Sequence, residues 1–382
     1  MRFLIITHVL HKSQNKHWFA YAPYVREMNL WLKYVDEVEI VAPKTNQPIT
    51  DIDIVYQHEK IILTEIPSIA FVTFGRTLLS LLSLPFILYK LYQACRRADH
   101  IHLRCPGNIG LLGCLVQMLF PQKIKTAKYA GNWDPHAVQP LSYRIQKKLL
   151  SNTSLTKNMT ALVYGHWNNQ TKNIKPFYTA TFNNEDREDI NLRDYSGHLH
   201  FVFVGSLVKG KRPLLAIQIV ESLKQKGYSV ALDIYGDGIL KEELQDYITK
   251  NNLSTCFRLH GNQTRDTIKT ALQSAHFILL ASQSEGWPKA LAEAMFFGVI
   301  PIATSISCVP DMLDYGKRGI LIEPHVTDAV RKIEAVLNNM EQLSKMSKNA
   351  LQWSQQYTLD VFEEDIKKLI EKGSTHSKNN DE

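Results

Sequence analysis

A glycine-rich, basic turn follows an apolar run in the second half of this 382-residue chain. The run ends at Val204, and the turn reads GSLVKGKRP from Gly205 to Pro213. A glycine at a strand end lets a ligand approach the backbone, and free N–H groups at the next helix start attract anions. Lys211 adds a full positive charge there. The turn matches neither the nucleotide-triphosphate loop nor the dinucleotide fingerprint. It predicts a phosphate site in outline, and the alternative is an exposed turn with a solvated lysine.

Two carboxylates eight residues apart follow a later apolar run, in the segment SEGWPKALAEA that begins at Ser284. Pro288 suits the first position of a helix, which places Glu285 in the preceding loop and Glu293 within the first two turns. Two such carboxylates can bind neighbouring hydroxyls of a sugar. The spacing alone favours exposed charge. Ligands, however, bind where the strands of open α/β sheets end, and the loop of Gly286 and Trp287 follows a predicted strand directly.

Together, these residues resemble the retaining glycosyltransferases of family 4, also called glycosyl transferases group 1. The resemblance covers about residues 199 to 325 in residue type, order and interval. It includes the Gly205 turn, the turn YGDG that starts at Tyr235, His260 with Gly261, and the Glu285 and Glu293 pair. It implies the α/β GT-B fold, in which two Rossmann-like domains face each other across a cleft.

The resemblance also implies roles for the motif residues. It implies that Lys211 holds the donor diphosphate and that Glu293 holds the ribose of the nucleotide. Glu285, with Gly286 and Trp287, is expected to hold the transferred sugar. An arginine often follows the first glycine in this family, whereas Ser206 stands after Gly205 here, so Lys211 and Arg212 are expected to hold the diphosphate. Glu285 and Lys211 are the predicted catalytic residues. Ala130 stands near the place of a histidine common in the family's N-terminal domain, so no catalytic histidine is assigned.

Three polar residues of the first half are candidate acceptor contacts. Arg104 and Asn108 flank the turn after a predicted strand, and Asn132 follows the strand predicted at 124–130. Asp51 and Asp53 form an Asp-x-Asp pattern but lie far from the donor motifs, and the paired histidines lack further ligands at zinc spacing. We therefore expect no metal and no other cofactor, the nucleotide sugar being a substrate.

Short apolar runs alternate with helical patterns along the chain, which predicts parallel sheets covered by helices. We predict an acceptor domain at 1–182, an acidic linker at 183–197 and a donor domain at 198–356. A helix at 357–372 is expected to return to the first domain, and a disordered tail follows at 373–382. The apolar segment from Leu78 to Tyr89 is interrupted and short for a membrane span, which favours a buried or interfacial helix.

The net charge of +7 is unevenly placed, since residues 1–182 carry 21 Lys and Arg against 10 Asp and Glu, a net +11. This excess favours a phosphate-bearing substrate or an anionic membrane; nucleic acid is the weakest of the three, since no nucleic-acid-binding motif appears. Five scattered cysteines, without a Cys-x-x-Cys pair, predict reduced thiols. A cytoplasmic protein, peripheral on the inner face of the cell membrane, is therefore expected.

These patterns and the resemblance predict a retaining glycosyltransferase that moves a sugar from a nucleotide-diphosphate sugar to a glycan or lipid-linked acceptor, as in bacterial surface polysaccharide synthesis. Two alternatives stay open. One is a nucleotide-sugar epimerase or a phosphorylase on the same fold, and an epimerase would need no acceptor. The other is a non-catalytic protein that binds sugar nucleotides without hydrolysis or transfer.

Overall fold

A computed structural model describes residues 1–69, 74–187 and 193–378 of the chain. The chain divides into two compact units. The first holds Met1–Phe177 together with the chain from Glu363 onward, and the second holds Tyr178–Phe362.

The first unit is built on a seven-stranded parallel sheet, with a small three-stranded antiparallel sheet beside it. Its strands are β1 (Arg2–Ile6), β2 (Lys12–Gln14), β3 (His17–Tyr21), β4 (Glu37–Ala42), β5 (Asp53–Val55), β6 (Ile61–Glu65), β7 (His100–Cys105), β8 (Ile124–Tyr129), β9 (Met159–Tyr164) and β10 (Ile174–Phe177). Its first four helices are α1 (Ala22–Leu32), α2 (Phe74–Arg97), α3 (Asn108–Val116) and α4 (Leu141–Leu150). The large sheet has the order β10-β9-β8-β7-β1-β4-β6. Its central strand β1 is buried almost throughout, as expected for a parallel sheet covered on both faces.

The small sheet β2-β3-β5 was not predicted. Two of its strands have only three residues each, and β3 pairs with β5 through Phe19 and Val55, which are far apart in the sequence. Such short strands carry no clear alternation of apolar and polar residues. Their pairing therefore leaves little signal in the local sequence.

Helix α2 is longer than the apolar segment suggested. Among the described residues, the part Thr77–Arg97 is the one helix that is long and apolar enough for a membrane span, with 21 residues and a mean hydropathy of 1.4. One side of it is nevertheless part of the first unit's core, because Ile87, Leu91 and Ala94 are fully buried. The sequence predicted a buried or interfacial helix, and the structure shows a helix that is buried on one side only.

The second unit is built on a six-stranded parallel sheet of order β13-β12-β11-β14-β15-β16. Its strands are β11 (Leu199–Val204), β12 (Val230–Tyr235), β13 (Phe257–Gly261), β14 (Phe277–Leu280), β15 (Ile300–Thr304) and β16 (Ile320–Ile322). Its helices are α5 (Pro213–Gln225), α6 (Lys241–Lys250), α7 (Arg265–Ser274), α8 (Lys289–Phe296), α9 (Val309–Met312), α10 (Val326–Leu337) and α11 (Met340–Ser354), followed by α12 (Leu359–Lys378). The short strand β16 was not predicted.

The segment 183–197 was predicted to be a linker. Its described residues pack on the second unit. The Asp186 carboxylate binds Lys269 and Arg265 of α7 at 3.0 and 3.2 Å, and Tyr195 is buried in the core. Residues 188–192 of this segment lie outside the described residues.

The last helix, α12, begins in the second unit and belongs to the first unit from Glu363 on. There the Glu363 carboxylate accepts hydrogen bonds from Lys33 and Tyr34, both at 2.8 Å. The helix reaches Lys378, so the disordered tail expected from residue 373 is helical as far as the structure describes it. Residues 379–382 lie outside the described part.

Candidate active site

Each sheet reverses its strand order beside its central strand. In the second unit the chain runs from β11 outward to β13 and then returns to place β14 on the other side of β11. In the first unit it runs from β1 outward to β6 and returns to place β7 on the other side of β1. A crevice opens at the carboxyl ends of the strands at such a reversal, and ligands of open α/β sheets bind there. The loops after β11 and β14, and those after β1 and β7, are therefore the candidate sites.

The loop after β11 is held tightly at its start. The Gly205 N–H donates to the Tyr235 carbonyl at 3.0 Å, and Gly236 packs against it with a φ of +132°. A Cβ on Gly236 would lie 2.0 Å from the Gly205 carbonyl oxygen, so only glycine fits there. A Cβ on Gly205 itself would meet protein atoms only at 3.7 Å and beyond. The backbone is thus fixed, while space remains beside Gly205 and the exposed Ser206.

Helix α5 then opens at Pro213 without a side-chain cap on its N-terminus. The preceding residue, Arg212, has left-handed backbone angles (φ 48°, ψ 52°), and its guanidinium is 3.4 Å from the Ala281 carbonyl at the end of β14. An uncapped helix N-terminus leaves N–H groups that favour an anion. Lys211, one position earlier, adds its ammonium group to this end of the helix.

Lys211 and Glu285 meet across the strand reversal. The Lys211 Nζ is 2.5 Å from Glu285 Oε1, although the two residues are 74 positions apart. The Glu285 side chain is 8% exposed and that of Lys211 is 29% exposed, so the pair opens to solvent on the lysine side. The two predicted catalytic residues therefore form one ion pair, with the cation on the accessible side.

Backbone contacts hold the loop after β14 in place. The Gln283 N–H donates to the Gly210 carbonyl at 2.8 Å, which ties this loop to the turn after β11. On the other side, the Glu285 N–H donates to Ser307 Oγ at 3.3 Å, and the Cys308 thiol donates to the Gly286 carbonyl at 3.1 Å. Burial raises the pKa of Cys308 to about 12, so this thiol stays neutral. Three neighbouring strands thus supply one rigid group of loops.

Trp287 and Glu293 are held by other contacts. The Trp287 ring stacks on Trp353 at 6.1 Å and meets Tyr357 edge-on at 6.2 Å, so the indole packs against α11 and the segment that follows it. Glu293 lies on α8, which begins at Lys289, one residue later than predicted. Its Oε1 accepts from Thr181 Oγ1 at 2.6 Å and is 3.4 Å from Lys289 Nζ. Within the part of the chain that the structure describes, no hydrogen bond or ion pair joins Glu293 to the Lys211–Glu285 pair.

Thr181, Gln283 and Ser307 were missed by sequence reasoning. Each one forms a hydrogen bond with a motif residue that is distant in the sequence: Thr181 with Glu293, Gln283 with Gly210, and Ser307 with Glu285. Thr181, for example, is 112 positions from Glu293. Residues of these types occur throughout the chain, so only the fold reveals their positions.

The candidate acceptor residues lie near the reversal of the first unit. Arg104 stands at the end of β7, but its side chain is only 11% exposed and its Nη1 is 2.6 Å from Glu27 Oε1 on α1. Lys128 of β8 binds the other Glu27 oxygen at 2.9 Å and is 1% exposed. Desolvation alone would raise the pKa of Glu27, but the two cations outweigh it and lower that pKa. Arg104 thus belongs to a buried ionic cluster.

Asn108 and Asn132 are partly exposed near the same end of the sheet. Asn108 opens α3 directly after Gly107, where a Cβ would lie 2.8 Å from Nδ1 of the exposed His8. Asn132 Oδ1 accepts from the Asp134 N–H at 2.9 Å. His8 follows β1 and was not predicted as a site residue. Its place in the loop after the central strand is the signal that sequence reasoning passed over.

The patterns considered for metal binding have other partners. Asp53 binds Lys12 at 2.6 Å, and His11 contacts the Val9 carbonyl and the Tyr56 hydroxyl. Within 1–69, 74–187 and 193–378, no group of three His, Cys, Asp or Glu side chains is placed to hold a metal ion. Metal independence stays a prediction.

Comparison with known proteins identifies a family model that matches part of the chain and solved structures with a similar fold. Residues 184–353 match the family model described as glycosyl transferases group 1. An uncharacterized glycosyltransferase of Methanocaldococcus jannaschii is 25% identical over 52% of this chain and 55% of its own length. The poly(ribitol-phosphate) alpha-N-acetylglucosaminyltransferase of Staphylococcus aureus is 31% identical over 36% of this chain and 28% of its own length. The chain thus spans about half, or less, of the curated relatives it matches.

The crystal structure of Anabaena HepE in complex with UDP and glucose resembles the whole chain. It has a TM-score of 0.65 and 13% identity, and the match covers 97% of this chain and 100% of that one. Together with the two parallel sheets, this likeness defines the chain as an α/β protein of the GT-B fold. Its region 184–353 belongs to the glycosyl transferases group 1 family. The narrower assignment to family 4 stays a prediction.

Proposed function

We propose that this chain is a retaining glycosyltransferase that transfers a sugar from a nucleotide-diphosphate sugar to a glycan or lipid-linked acceptor. The observation that carries the proposal is the Lys211–Glu285 pair at the strand reversal of the second unit, beside the uncapped start of α5. The donor binds to this unit, and the acceptor is recognised mainly by the first. The site residues keep the roles that the sequence resemblance implies.

Binding of the donor separates this pair, because each of the two side chains then binds a group of the donor. The ammonium group of Lys211 turns from the Glu285 carboxylate to the diphosphate, a charge-assisted contact that the uncapped N-terminus of α5 supports. Glu285 is then released to accept hydrogen bonds from hydroxyls of the transferred sugar. Since Glu285 is 8% exposed and fixed by the Ser307 contact of its backbone, little ordering of this loop is needed on binding.

Transfer proceeds on one face of the sugar. The acceptor hydroxyl oxygen forms a bond to the anomeric carbon while the bond from that carbon to the diphosphate oxygen breaks. The leaving diphosphate oxygen takes the proton of the acceptor hydroxyl, so no protein nucleophile is needed. Lys211 stabilises the negative charge that develops on the leaving group, which is the kind of electrostatic contribution that dominates many enzyme rates.

We further propose that the protein acts in the cytoplasm, in bacterial surface polysaccharide synthesis, and the name of one relative supports the polysaccharide part of this proposal. The Staphylococcus aureus relative is named for poly(ribitol-phosphate), a polymer rich in phosphate. The first 182 residues of this chain carry +11, which suits an acceptor that bears phosphate groups.

A thermal denaturation panel of nucleotide sugars tests the proposal. A donor at about 100 times its dissociation constant should stabilise the protein by roughly 2.7 kcal/mol. The stabilising donor is then incubated with and without glycan acceptors and lipid-linked acceptors, and the products are separated. Transfer that requires an acceptor supports the proposal. An altered sugar nucleotide without any acceptor indicates an epimerase, and donor binding without turnover on any acceptor indicates a non-catalytic protein.

A further inference from the structure

The outer side of helix α2 exposes an unusual number of large apolar side chains. Eight of them are between 36% and 70% exposed. We call this surface the α2 apolar face, and it consists of Leu78, Leu79, Leu81, Leu82, Phe86, Leu88, Tyr89 and Tyr92. Scattered exposed leucines are ordinary in soluble proteins, whereas a contiguous apolar patch marks an interaction surface.

These eight positions form one continuous surface. Neighbours on a helix are three or four positions apart, and Leu78, Leu82, Phe86 and Tyr89 follow each other at these intervals. The opposite stripe, which includes Ile87, Leu91 and Ala94, is fully buried against the first unit's core. A surface helix usually turns charged residues to solvent on the side away from the core. Helix α2 instead presents leucines and aromatic rings there.

The charged residues in the stretch of sequence that carries this face are all basic. No Asp or Glu occurs between Glu65 and Asp99, whereas four Lys and Arg residues do. Lys90 lies over the Phe86 ring with Nζ 5.3 Å from its centroid, and Arg96 and Arg97 close the helix. Arg97 pairs with Glu39 of β4 at 2.5 Å, so Lys90 and the exposed Arg96 carry the positive charge available beside this face. Lysine and arginine can lay their stems on apolar surface and keep their charges at a lipid headgroup level. A second copy of the chain, by contrast, would set this positive surface against itself.

We propose that the α2 apolar face docks this protein on an anionic lipid bilayer, with the helix lying in the plane of the interface. Leu79, Leu82 and Phe86 enter the boundary between headgroups and acyl chains, while Arg96 and Lys90 contact the anionic headgroups. The buried stripe of α2 stays in the core of the first unit, so the helix does not cross the bilayer. This inference goes beyond the proposed transfer activity, which does not need a membrane when the acceptor is a soluble glycan.

Apolar insertion and simple charge attraction predict different results. A dispersed positive surface alone would release the protein at high salt, since ionic strength screens exposed charges. Insertion of leucines adds a contribution that salt does not screen. Each buried methylene group changes the partition coefficient about four-fold.

The experiment is cosedimentation of the full chain with two kinds of vesicle, pure phosphatidylcholine and phosphatidylcholine with phosphatidylglycerol, at low and high salt. The Leu79→Ser/Leu82→Ser double variant changes two exposed positions, 68% and 70% exposed. We expect it to bind the anionic vesicles roughly 30-fold more weakly or worse. The matched control is Ile239→Ser, which removes a side chain that is 82% exposed in the second unit, and it should bind like the unaltered chain.

Direct insertion is measured with Leu82→Trp. Brominated acyl chains should quench its fluorescence more than that of the unaltered chain, and this readout does not depend on the stability of the serine variant. Absence of vesicle binding overturns the proposal, as does binding that the double variant retains and high salt abolishes. So does a dimer in sedimentation velocity that the double variant converts to a monomer without any vesicle binding. Donor affinity of the double variant should stay unchanged, so a failure here is distinguishable from a failure of the transfer function.

Discussion

The strand reversals of the two units hold the same kinds of side chain in different surroundings. In the second unit, Lys211 and Glu285 pair with the lysine 29% exposed. In the first unit, Glu27 pairs with both Arg104 and Lys128, whose side chains are 11% and 1% exposed. An open cation can exchange its carboxylate for a ligand, whereas a buried cluster can lose a partner only by leaving charge unpaired. The difference separates a candidate binding site from an element of the fold.

The first test of this comparison removes the shared carboxylate of the buried cluster. Glu27→Ala removes the carboxylate that Arg104 and Lys128 share, and breaking such a buried pair costs about 3–5 kcal/mol of unfolding free energy. Because the folded-state pKa of Glu27 is lowered, its contribution is present above the unfolded pKa and is lost as the pH falls through the folded pKa. The variant should lack this acid-dependent loss.

Urea denaturation across a pH series measures both effects. Glu37→Ala is the control, since Glu37 is exposed at the start of β4, and it should change the unfolding free energy by less than about 0.5 kcal/mol. If the two variants have equal unfolding free energies, the Glu27 cluster stabilises the fold no more than an exposed residue does, and the proposed difference between the two units is wrong.

The second test concerns turnover. Glu285→Gln keeps the size of the side chain and removes the charge that faces Lys211. Under the proposed roles, kcat should fall by about 100-fold or more, the order found when one preorganised polar group of an active site is removed. Affinity for a free nucleotide diphosphate should not fall, because Lys211 loses a competing carboxylate. Steady-state kinetics and calorimetry with UDP separate the two quantities, and lost UDP affinity with normal turnover would exchange the roles of the two glutamates.

The third test concerns the cation of the same pair. Lys211→Ala should weaken nucleotide diphosphate binding by about 1.5–3 kcal/mol, the range for a charge-assisted hydrogen bond. The control is Lys209→Ala in the same turn, since Lys209 is exposed and no described contact joins it to Glu285. Lys211→Ala should lower the thermal stability less than Glu27→Ala does, because it leaves one carboxylate beside an opening to solvent, whereas Glu27→Ala leaves two buried cations. Calorimetry that finds equal affinities in both lysine variants would remove Lys211 from the site.

These differences also mark how far the sequence alone leads. The class of fold was predictable because apolar strands such as β11 and β14 alternate with helical patterns over short stretches. Lys211 and Glu285 were singled out because each lies in a glycine-containing turn after a predicted strand, and the family resemblance supplied their roles. The structure brings the two side chains together, and their catalytic role stays a prediction. Arg104 was predicted for the acceptor side because it flanks the turn after a predicted strand. Its ion pair with Glu27 was not foreseen, because Glu27 is 77 positions away and no local pattern indicates that contact.

For the α2 apolar face, the sequence did not determine which apolar side chains are buried and which are exposed. The sequence shows an apolar helix, but both a buried helix and an interfacial helix have that composition. Only the burial of Ile87 and Leu91 beside the exposure of Leu79 and Leu82 shows that most of the apolar surface faces outward. Charge patterning predicted a docking surface of positive charge, and the structure adds the apolar part to that hypothesis.

The smallest expected effect concerns Glu293, which tests whether the open site extends along α8. Its Oε1 already accepts a hydrogen bond from Thr181 at 2.6 Å, so a ribose hydroxyl must share or replace that contact. Glu293→Ala should therefore weaken the binding of both UDP and the intact donor by only about 1 kcal/mol. In the unaltered chain, the hydrogen bond from Glu293 to the ribose is partly offset by the loss of its hydrogen bond with Thr181. Thr181→Val is the matched variant: it removes the competing hydroxyl and keeps the carboxylate, so UDP affinity should hold or rise. If calorimetry shows that both variants bind UDP equally weakly, Glu293 supports the loop through Thr181, and the open site ends at the Lys211–Glu285 pair.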